Sequence, residues 1–226
     1  MSLGHGANTV RDGLVLHLDA ANVKSYSGSG TTWSDLSGNG NNGTLMNGPT
    51  YSSDNKGEFI LDGVNDYVDY SIANPYAETI TVWAKSNTPN WNAYGWLSSS
   101  RTVNGHILHP NPYTKAVAFY VYNSASVFTM IGNITVADIT IPHMYSYTTN
   151  GSNSHKVYLD GVLVLTSTTA INRSLTPPIV STKFGTDDYA GRYGNGNLYS
   201  TIRYNRALSE AEIKQNYEAL RGRYGI

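Results

Sequence analysis

The feature that most constrains this chain is the alternation of apolar and polar side chains in short segments, repeated over most of its length. In "GLVLHLDA", Leu14, Leu16 and Leu18 share one face, because successive side chains of a strand point to opposite sides. In "ETITVWAKS", Ile80 and Val82 do the same. Many short strands separated by Gly, Asn and Asp clusters predict an all-β chain with two stacked antiparallel sheets.

The segment "HKVYLDGVLVLTS" predicts a hairpin. Asp160–Gly161 is a two-residue turn signal, since glycine tolerates the positive φ that a type I′ turn requires. This register pairs Leu159 with Val162, and Val157 with Val164. Both faces of the hairpin are apolar, so we expect it to have little exposed surface.

The end of the chain predicts a helix over residues 209–221. Ser209 and Glu212 form a capping box, with Leu208 and Ile213 at the staple positions. No linker or composition break divides the sequence, which predicts a single domain over 1–226. The polar first dozen residues, 1–12, have the composition of an N-terminal arm.

Composition excludes several classes of protein. The 226-residue chain has a net charge of −1 and 14% charged residues, so it lacks the basic footprint of a nucleic-acid-binding protein. It has no cysteine, which excludes disulfides and thiolate metal sites. The start "MSLGHGANTV" lacks the apolar core of a secretory signal, and the apolar runs are too short for membrane insertion.

The order of several motifs resembles a known family. "DGLVLHLDAAN", "TTWSDLSGNGNNGTL", "FILDGVNDYVDY", "ITVWAKS", "HKVYLDGVLV" and "YNRALSEAEI" follow one another as in concanavalin A-like, laminin-G-like domains. The resemblance implies a two-sheet antiparallel jelly-roll sandwich with a short C-terminal α-helix. "KSYSGSGTTWSDLSGNGNNGT" and the ending "RGRYGI" look most like versions in structural proteins of tailed bacteriophages.

The stretch "DLSGNGNNG" offers the carboxylate, amide and backbone oxygens that Ca²⁺ takes as ligands. The resemblance implies a structural Ca²⁺ near such a loop, because members of that family often carry one there. They often also have an acidic pair in the strand before "YNRALS", where this chain has Tyr199 and Ser200. The alternative is a loop held by Asx-turns, in which the side chains bond to the backbone two residues on. No other cofactor is expected. The candidate calcium ligands are Asp35, Asn39, Asn41, Asn42 and Asp62.

Aromatic side chains beside polar ones predict contact with a glycan or a protein partner, because a sugar ring has apolar C–H faces and a polar rim. The alternative places these rings in the core or in a subunit contact, where Tyr and Trp are also enriched. The candidate contact residues are Trp91, Tyr94, Trp96, Tyr120 and Tyr122.

Catalysis is not expected. A glycoside hydrolase needs two carboxylates close together, and the laminarinase-type relatives carry them on one strand. Here the glutamates lie mostly in the terminal helix, and no strand has such a run. His106 and His109 in "NGHILHP" are three residues apart, which would place their side chains on opposite faces of a strand.

Three functions remain. The first is a non-enzymatic structural or interaction protein of a bacteriophage virion, in a head decoration, head fibre or tail fibre, with weak adhesion to surface polysaccharide. Such a protein would be assembled in the bacterial cytoplasm and contact other virion proteins and copies of itself. The alternative is a secreted or cell-surface carbohydrate-binding module. A hydrolase or lyase is the third and least supported.

Overall fold

The computed structural model describes residues 8–187 and 191–226. Two antiparallel sheets are stacked face to face, and one α-helix, α1 (Glu210–Leu220), packs outside them, which confirms the predicted sandwich. Short 3-10 turns span Asp54–Lys56 and Arg221–Arg223. The strands in chain order are β1 (Leu14–Asp19), β2 (Thr32–Trp33), β3 (Gly43–Met46), β4 (Thr50–Ser52), β5 (Glu58–Asp62), β6 (Tyr67–Ala73), β7 (Glu78–Ser86), β8 (Ser98–Ser100), β9 (His106–Pro110), β10 (Ala116–Tyr122), β11 (Phe128–Thr135), β12 (His143–Thr149), β13 (His155–Leu159), β14 (Val162–Ser167), β15 (Ile179–Phe184) and β16 (Asn195–Tyr204).

Sheet A has the spatial order β14-β13-β12-β7-β16-β5-β4, with β1 also pairing with β16. Sheet B has the order β11-β10-β9-β8-β15-β6-β3-β2. β5 and β6 are consecutive in sequence but belong to different sheets, so the chain crosses the sandwich at residues 63–66. Strands β9, β10 and β11 are neighbours at one edge of sheet B, and their outer face carries the candidate site.

The main core lies between the two sheets, and the strand faces largely match the sequence pattern. Ile80 and Val82 of β7 are fully buried in this core, as the period of two predicts. Strand β1 differs, because its register shifts between Leu14 and Leu16. Leu16 joins the inter-sheet core with Leu18, whereas Leu14 packs against the cluster beneath α1, so the prediction of one shared face is wrong.

A second apolar cluster attaches the helix to the outer face of sheet A. Ser209 caps α1 with the full capping box that the sequence predicts. Ile213 is fully buried, and the ring of Tyr217 stacks on Trp83 with centroids 5.7 Å apart. The helix therefore covers a face of sheet A that would otherwise expose aromatic side chains.

The start of the described chain packs on the same helix. The backbone N–H of Val10 donates to Asn216 Oδ1 at 2.8 Å, and Gln215 Nε2 donates to the carbonyl of Asn8 at 2.7 Å. Within the predicted arm of residues 1–12, residues 8–12 thus dock on their own chain. Residues 1–7 lie outside the described residues, and their role as an arm stays a prediction.

The predicted hairpin is present, with two differences. Asp160 and Gly161 both have positive φ, of 52° and 80°, as a type I′ turn requires. A bulge shifts the register, so Val157 pairs with Leu165 and not with Val164. Val162 is 63% exposed, because β14 is an edge strand of sheet A. The expectation that the hairpin has little exposed surface is therefore wrong.

Candidate functional site

Four rings form a row on the outer face of sheet B. We call Tyr94, His109, Tyr120 and Phe128 the aromatic row. Its ring centroids are 5.2 Å apart between Tyr94 and His109, 5.3 Å between His109 and Tyr120, and 5.8 Å between Tyr120 and Phe128. The alternation of β10 causes this placement, because Phe119 points into the core and Tyr120 points away from it. Strands β9, β10 and β11 thus each supply one ring, and the loop before β8 supplies Tyr94.

A cleft of about 250 Å³ lies along this row. The buried side chain of Ile107 forms part of its lining, together with His109, Tyr120 and Phe128. Arg101 and Arg192 complete the lining. The cleft therefore combines aromatic surface with guanidinium groups, the mixture of apolar wall and few polar groups that small-ligand sites use.

The two arginines are held by one buried carboxylate. Arg101 Nη2 donates to Asp187 Oδ2 at 2.7 Å, and Arg192 Nη1 donates to the same oxygen at 2.8 Å. Arg101 Nη1 also contacts the hydroxyl of Tyr122 at 3.2 Å, and the guanidinium of Arg192 lies 4.9 Å from the ring centre of Tyr94. These contacts fix the positions of both guanidinium groups beside the cleft.

His109 contributes a neutral imidazole to the cleft. Burial lowers its pKa below the ordinary histidine value, and its contact with Asn111 opposes that shift. Its Nδ1 lies 3.1 Å from Asn111 Oδ1, so Nδ1 carries the proton as donor and Nε2 is the acceptor. The ring thus offers an apolar face and one acceptor nitrogen at neutral pH.

The predicted contact residues separate into two groups. Trp91 is 1% exposed and Trp96 is 0% exposed, so the prediction that they contact a glycan or partner is wrong. Their loop folds inward and places both indoles in the inter-sheet core, where Trp96 packs against Gly196 at a position with no room for a Cβ atom. Tyr94 is 42% exposed, and Tyr120 is half-buried, so both are accessible.

Tyr122 is also buried, with 4% exposure, and supports Arg101 from below the surface. Sequence reasoning missed five lining residues: Arg101, Ile107, His109 as a binding residue, Phe128 and Arg192. The period-two pattern contained a signal for one of them, since His109 shares the outward face of β9 with Ile107. The arginines gave no signal, because they come from loops that are distant in sequence.

The asparagine-rich loop is held together by its own hydrogen bonds. Asp35 Oδ1 accepts from the backbone N–H groups of His17 at 2.9 Å and Ser37 at 2.8 Å. Its Oδ2 accepts from the Ser37 hydroxyl at 2.6 Å and the Asn41 N–H at 3.0 Å. Asn42 Oδ1 accepts from the Asp35 N–H at 2.9 Å. These are bonds of the kind that the Asx-turn alternative expects.

The other candidate calcium ligands are similarly engaged. Asn39 Nδ2 donates to the carbonyl of Leu14 at 3.2 Å, and Asn41 Nδ2 donates to that of Val15 at 2.7 Å. Asp62 Oδ1 accepts from its own turn, and this backbone bond lowers the pKa of its carboxyl. Among residues 8–187 and 191–226, no three His, Asp or Glu side chains group as a metal site. The calcium ion stays a prediction.

A further polar cluster is buried between the sheets. Glu78 accepts hydrogen bonds from Arg173 Nη2 and Arg203 Nη2, each at 2.6 Å. His106 Nε2 lies 2.8 Å from the hydroxyl of Ser98. Burial, aided by the positive charge of Arg203, lowers the pKa of His106 to about 3. All five side chains are buried, so this cluster is closed to a ligand.

Neither a family model nor a curated protein sequence matches the chain. Among solved structures, the binding domain of botulinum neurotoxin serotype D has a TM-score of 0.70 and 16% identity over 93% of this chain. The binding domain of Paraclostridial Mosquitocidal Protein 1 has a TM-score of 0.68 and 16% identity over 92% of it. The chain spans about half of each of these domains, 53% and 52%.

A third similar structure matches along almost its whole length. Domain 4 of AbnA, a GH43 extracellular arabinanase from Geobacillus stearothermophilus, was solved in complex with arabinotriose. It has a TM-score of 0.68 and 14% identity, covering 90% of this chain and 98% of that domain. These likenesses establish a fold shared with binding domains. In the described part of this chain, no helix is long and apolar enough to cross a membrane.

Proposed function

We propose that this protein is a non-catalytic carbohydrate-binding module whose ligand lies on the aromatic row. The observation that carries the proposal is the cleft of about 250 Å³ in which the accessible rings of His109, Tyr120 and Phe128 stand beside fixed guanidinium groups. A sugar presents C–H faces that pack on rings and hydroxyls that accept from guanidinium N–H groups. Tyr120 occupies the centre of this arrangement, between His109 and Phe128.

The similar structures support a binding role at a coarse level. The neurotoxin and mosquitocidal domains are described as binding domains, and the structure of the arabinanase domain is a complex with arabinotriose. One sandwich can serve many functions, so the argument for this chain depends on its own cleft.

The charges at the cleft favour binding over hydrolysis. A retaining glycosidase places two carboxyl groups about 5 Å apart, and an inverting enzyme places them somewhat further apart. Among the described residues that line or border this cleft, Asp187 supplies the carboxylate, and it is buried against two arginines. This carboxylate is paired with Arg101 and Arg192, so it positions the two guanidinium groups and does not serve as a nucleophile or general acid.

The experiment is a glycan array probed with the purified chain, with Ca²⁺ and again with EDTA. The array should include neutral plant and bacterial polysaccharides, uronic-acid polymers and sialylated glycans. We expect saturable binding that survives EDTA and is lost in Tyr120→Ala. Absence of binding in both buffers would overturn the proposal. Binding that is lost in EDTA would instead show that the ligand needs a cation, and would overturn the proposal that the aromatic row alone binds it.

A second candidate function is assembly, as the virion resemblance in the sequence implies. Its specific support is the apolar surface on the two edge strands β11 and β14. Met130 is 45% exposed, Val162 63% and Val164 45%. Exposed apolar patches of this kind often mark protein contacts. The test is light scattering of the purified chain at high concentration, followed by co-sedimentation with phage particles. A chain that stays monomeric and does not sediment with particles would contradict the virion role.

A further inference from the structure

Building on the proposed function, we infer that the aromatic row binds the interior of a linear polysaccharide. Three or more consecutive sugar residues would lie across strands β9, β10 and β11. The proposal specifies an extended, unbranched chain bound away from its ends. A single terminal sugar is the alternative that the experiment distinguishes.

The spacing of the row is the first argument. Neighbouring strands are about 4.8 Å apart, and one ring stands on each of β9, β10 and β11. The row runs diagonally, because the direct cross-strand partners of Tyr120 are Ile107 and Met130, and its centroids are 5.3 Å apart from His109 to Tyr120 and 5.8 Å apart from Tyr120 to Phe128. Successive residues of an extended sugar chain advance by a similar distance. One sugar residue can therefore meet one ring as the chain crosses the strands.

The orientation of the rings is the second argument. The plane of Tyr120 makes angles of 70° with His109 and 75° with Phe128. Tyr120 is therefore close to perpendicular to both of its neighbours, whereas Tyr94 and His109 are only 39° apart. An extended polysaccharide whose successive residues are rotated about the chain axis can turn one C–H face toward each of the rings of His109, Tyr120 and Phe128. A compact, branched epitope has no such repeat along one direction.

The exposure of the two ends is the third argument. Tyr94 at one end is 42% exposed and Phe128 at the other is 57% exposed. His109 and Tyr120 in the middle are half-buried, and so are less accessible than the two ends. Contact is therefore deepest at the centre of the row and opens toward both ends. A pocket for a chain terminus would have the opposite form, with one deep and enclosed end.

The experiment is isothermal titration of the full chain with linear arabino-, xylo-, gluco- and manno-oligosaccharides of one to six residues. For the series that binds, we expect affinity to rise at least about tenfold from one residue to three, and then to level off. A bulky tag on the reducing end of a hexasaccharide should leave its affinity unchanged. Phe128→Ala should weaken the trisaccharide more than the monosaccharide.

The matched control is Tyr67→Ala, since Tyr67 is a half-buried tyrosine of β6 in the same sheet, three strands from β9. It should bind every oligosaccharide as the unaltered chain does. Equal affinity for one and three residues, or loss of binding on tagging, would overturn the inference and leave the proposed function standing. No binding of any glycan on the array would overturn both.

Discussion

Glu78 Oε2 accepts a hydrogen bond from Arg203 Nη2 at 2.6 Å, and both side chains are fully buried between the two sheets. Glu78 begins β7 and Arg203 lies near the end of β16, so the pair joins the two most central strands of sheet A through its inner face. Arg173 binds the other oxygen of Glu78 at 2.6 Å. One carboxylate therefore stabilises two buried positive charges.

We expect Glu78→Gln to lower the free energy of unfolding by about 3–5 kcal/mol, because it leaves two buried guanidinium groups without their carboxylate. Urea denaturation followed by tryptophan fluorescence measures the change. The control is Glu210→Gln, which breaks an exposed pair with Lys156 and should cost less than about 1 kcal/mol. Equal effects of the two substitutions would contradict a structural role for the buried cluster.

A pH dependence follows from His106. Burial, aided by the nearby Arg203, lowers the pKa of this side chain from 6.5 to about 3. Between these two pKa values, His106 is protonated in the unfolded chain and neutral in the folded chain. The contribution of neutral His106 to the free energy of unfolding is therefore fully present above pH 6.5. It is lost progressively as the pH decreases toward 3.

Replacing His106 should remove that contribution. In His106→Gln, the free energy of unfolding should fall less steeply with decreasing pH, by up to about 1.4 kcal/mol per pH unit. Urea denaturation of both proteins at several pH values in this window gives the two slopes. Above pH 7 the slopes should coincide, which serves as the internal control. Identical slopes throughout would show that His106 takes up its proton in the folded state.

The strand faces were predictable where a strand follows its neighbours without interruption. Ile80 and Val82 are examples, because burial on one face leaves a period of two in the sequence. The bulges were not predictable. The shift at Leu14 and the shift at Val157 depend on the strand alongside and leave no periodic trace. The exposure of Val162 likewise depends on the sheet order, which places β14 at an edge.

The site was less predictable than the fold, because loops have no period that separates inside from outside. Trp91 and Tyr94 are three residues apart in one loop, yet the first is buried in the core and the second is exposed. The composition of that loop suits either arrangement. Asp187 and Arg101 are 86 residues apart in sequence, and only the folded chain brings them together.

The Asp35 loop permits a test of the calcium prediction. Both carboxylate oxygens of Asp35 accept hydrogen bonds from the loop and from β1, so Asp35→Ala should destabilise the protein by about 1–3 kcal/mol. Asn39→Ala, at an exposed position of the same loop, should have a smaller effect. Thermal unfolding of the unaltered chain should be the same in Ca²⁺ and in EDTA. A melting temperature raised by Ca²⁺ would instead establish a cation site.

The most direct prediction concerns the ring at the centre of the aromatic row. Tyr120→Ala removes the apolar ring between His109 and Phe128 on which a sugar would pack, so we expect glycan affinity to fall at least about tenfold, or about 1.4 kcal/mol. Tyr67→Ala is the control, because Tyr67 is also half-buried and lies outside the cleft. Isothermal titration with the best array ligand gives the affinities, and urea denaturation verifies that both variants fold. If both variants bind like the unaltered chain, the ligand does not lie on the aromatic row. If both lose affinity equally, the loss reflects the fold of sheet B as a whole.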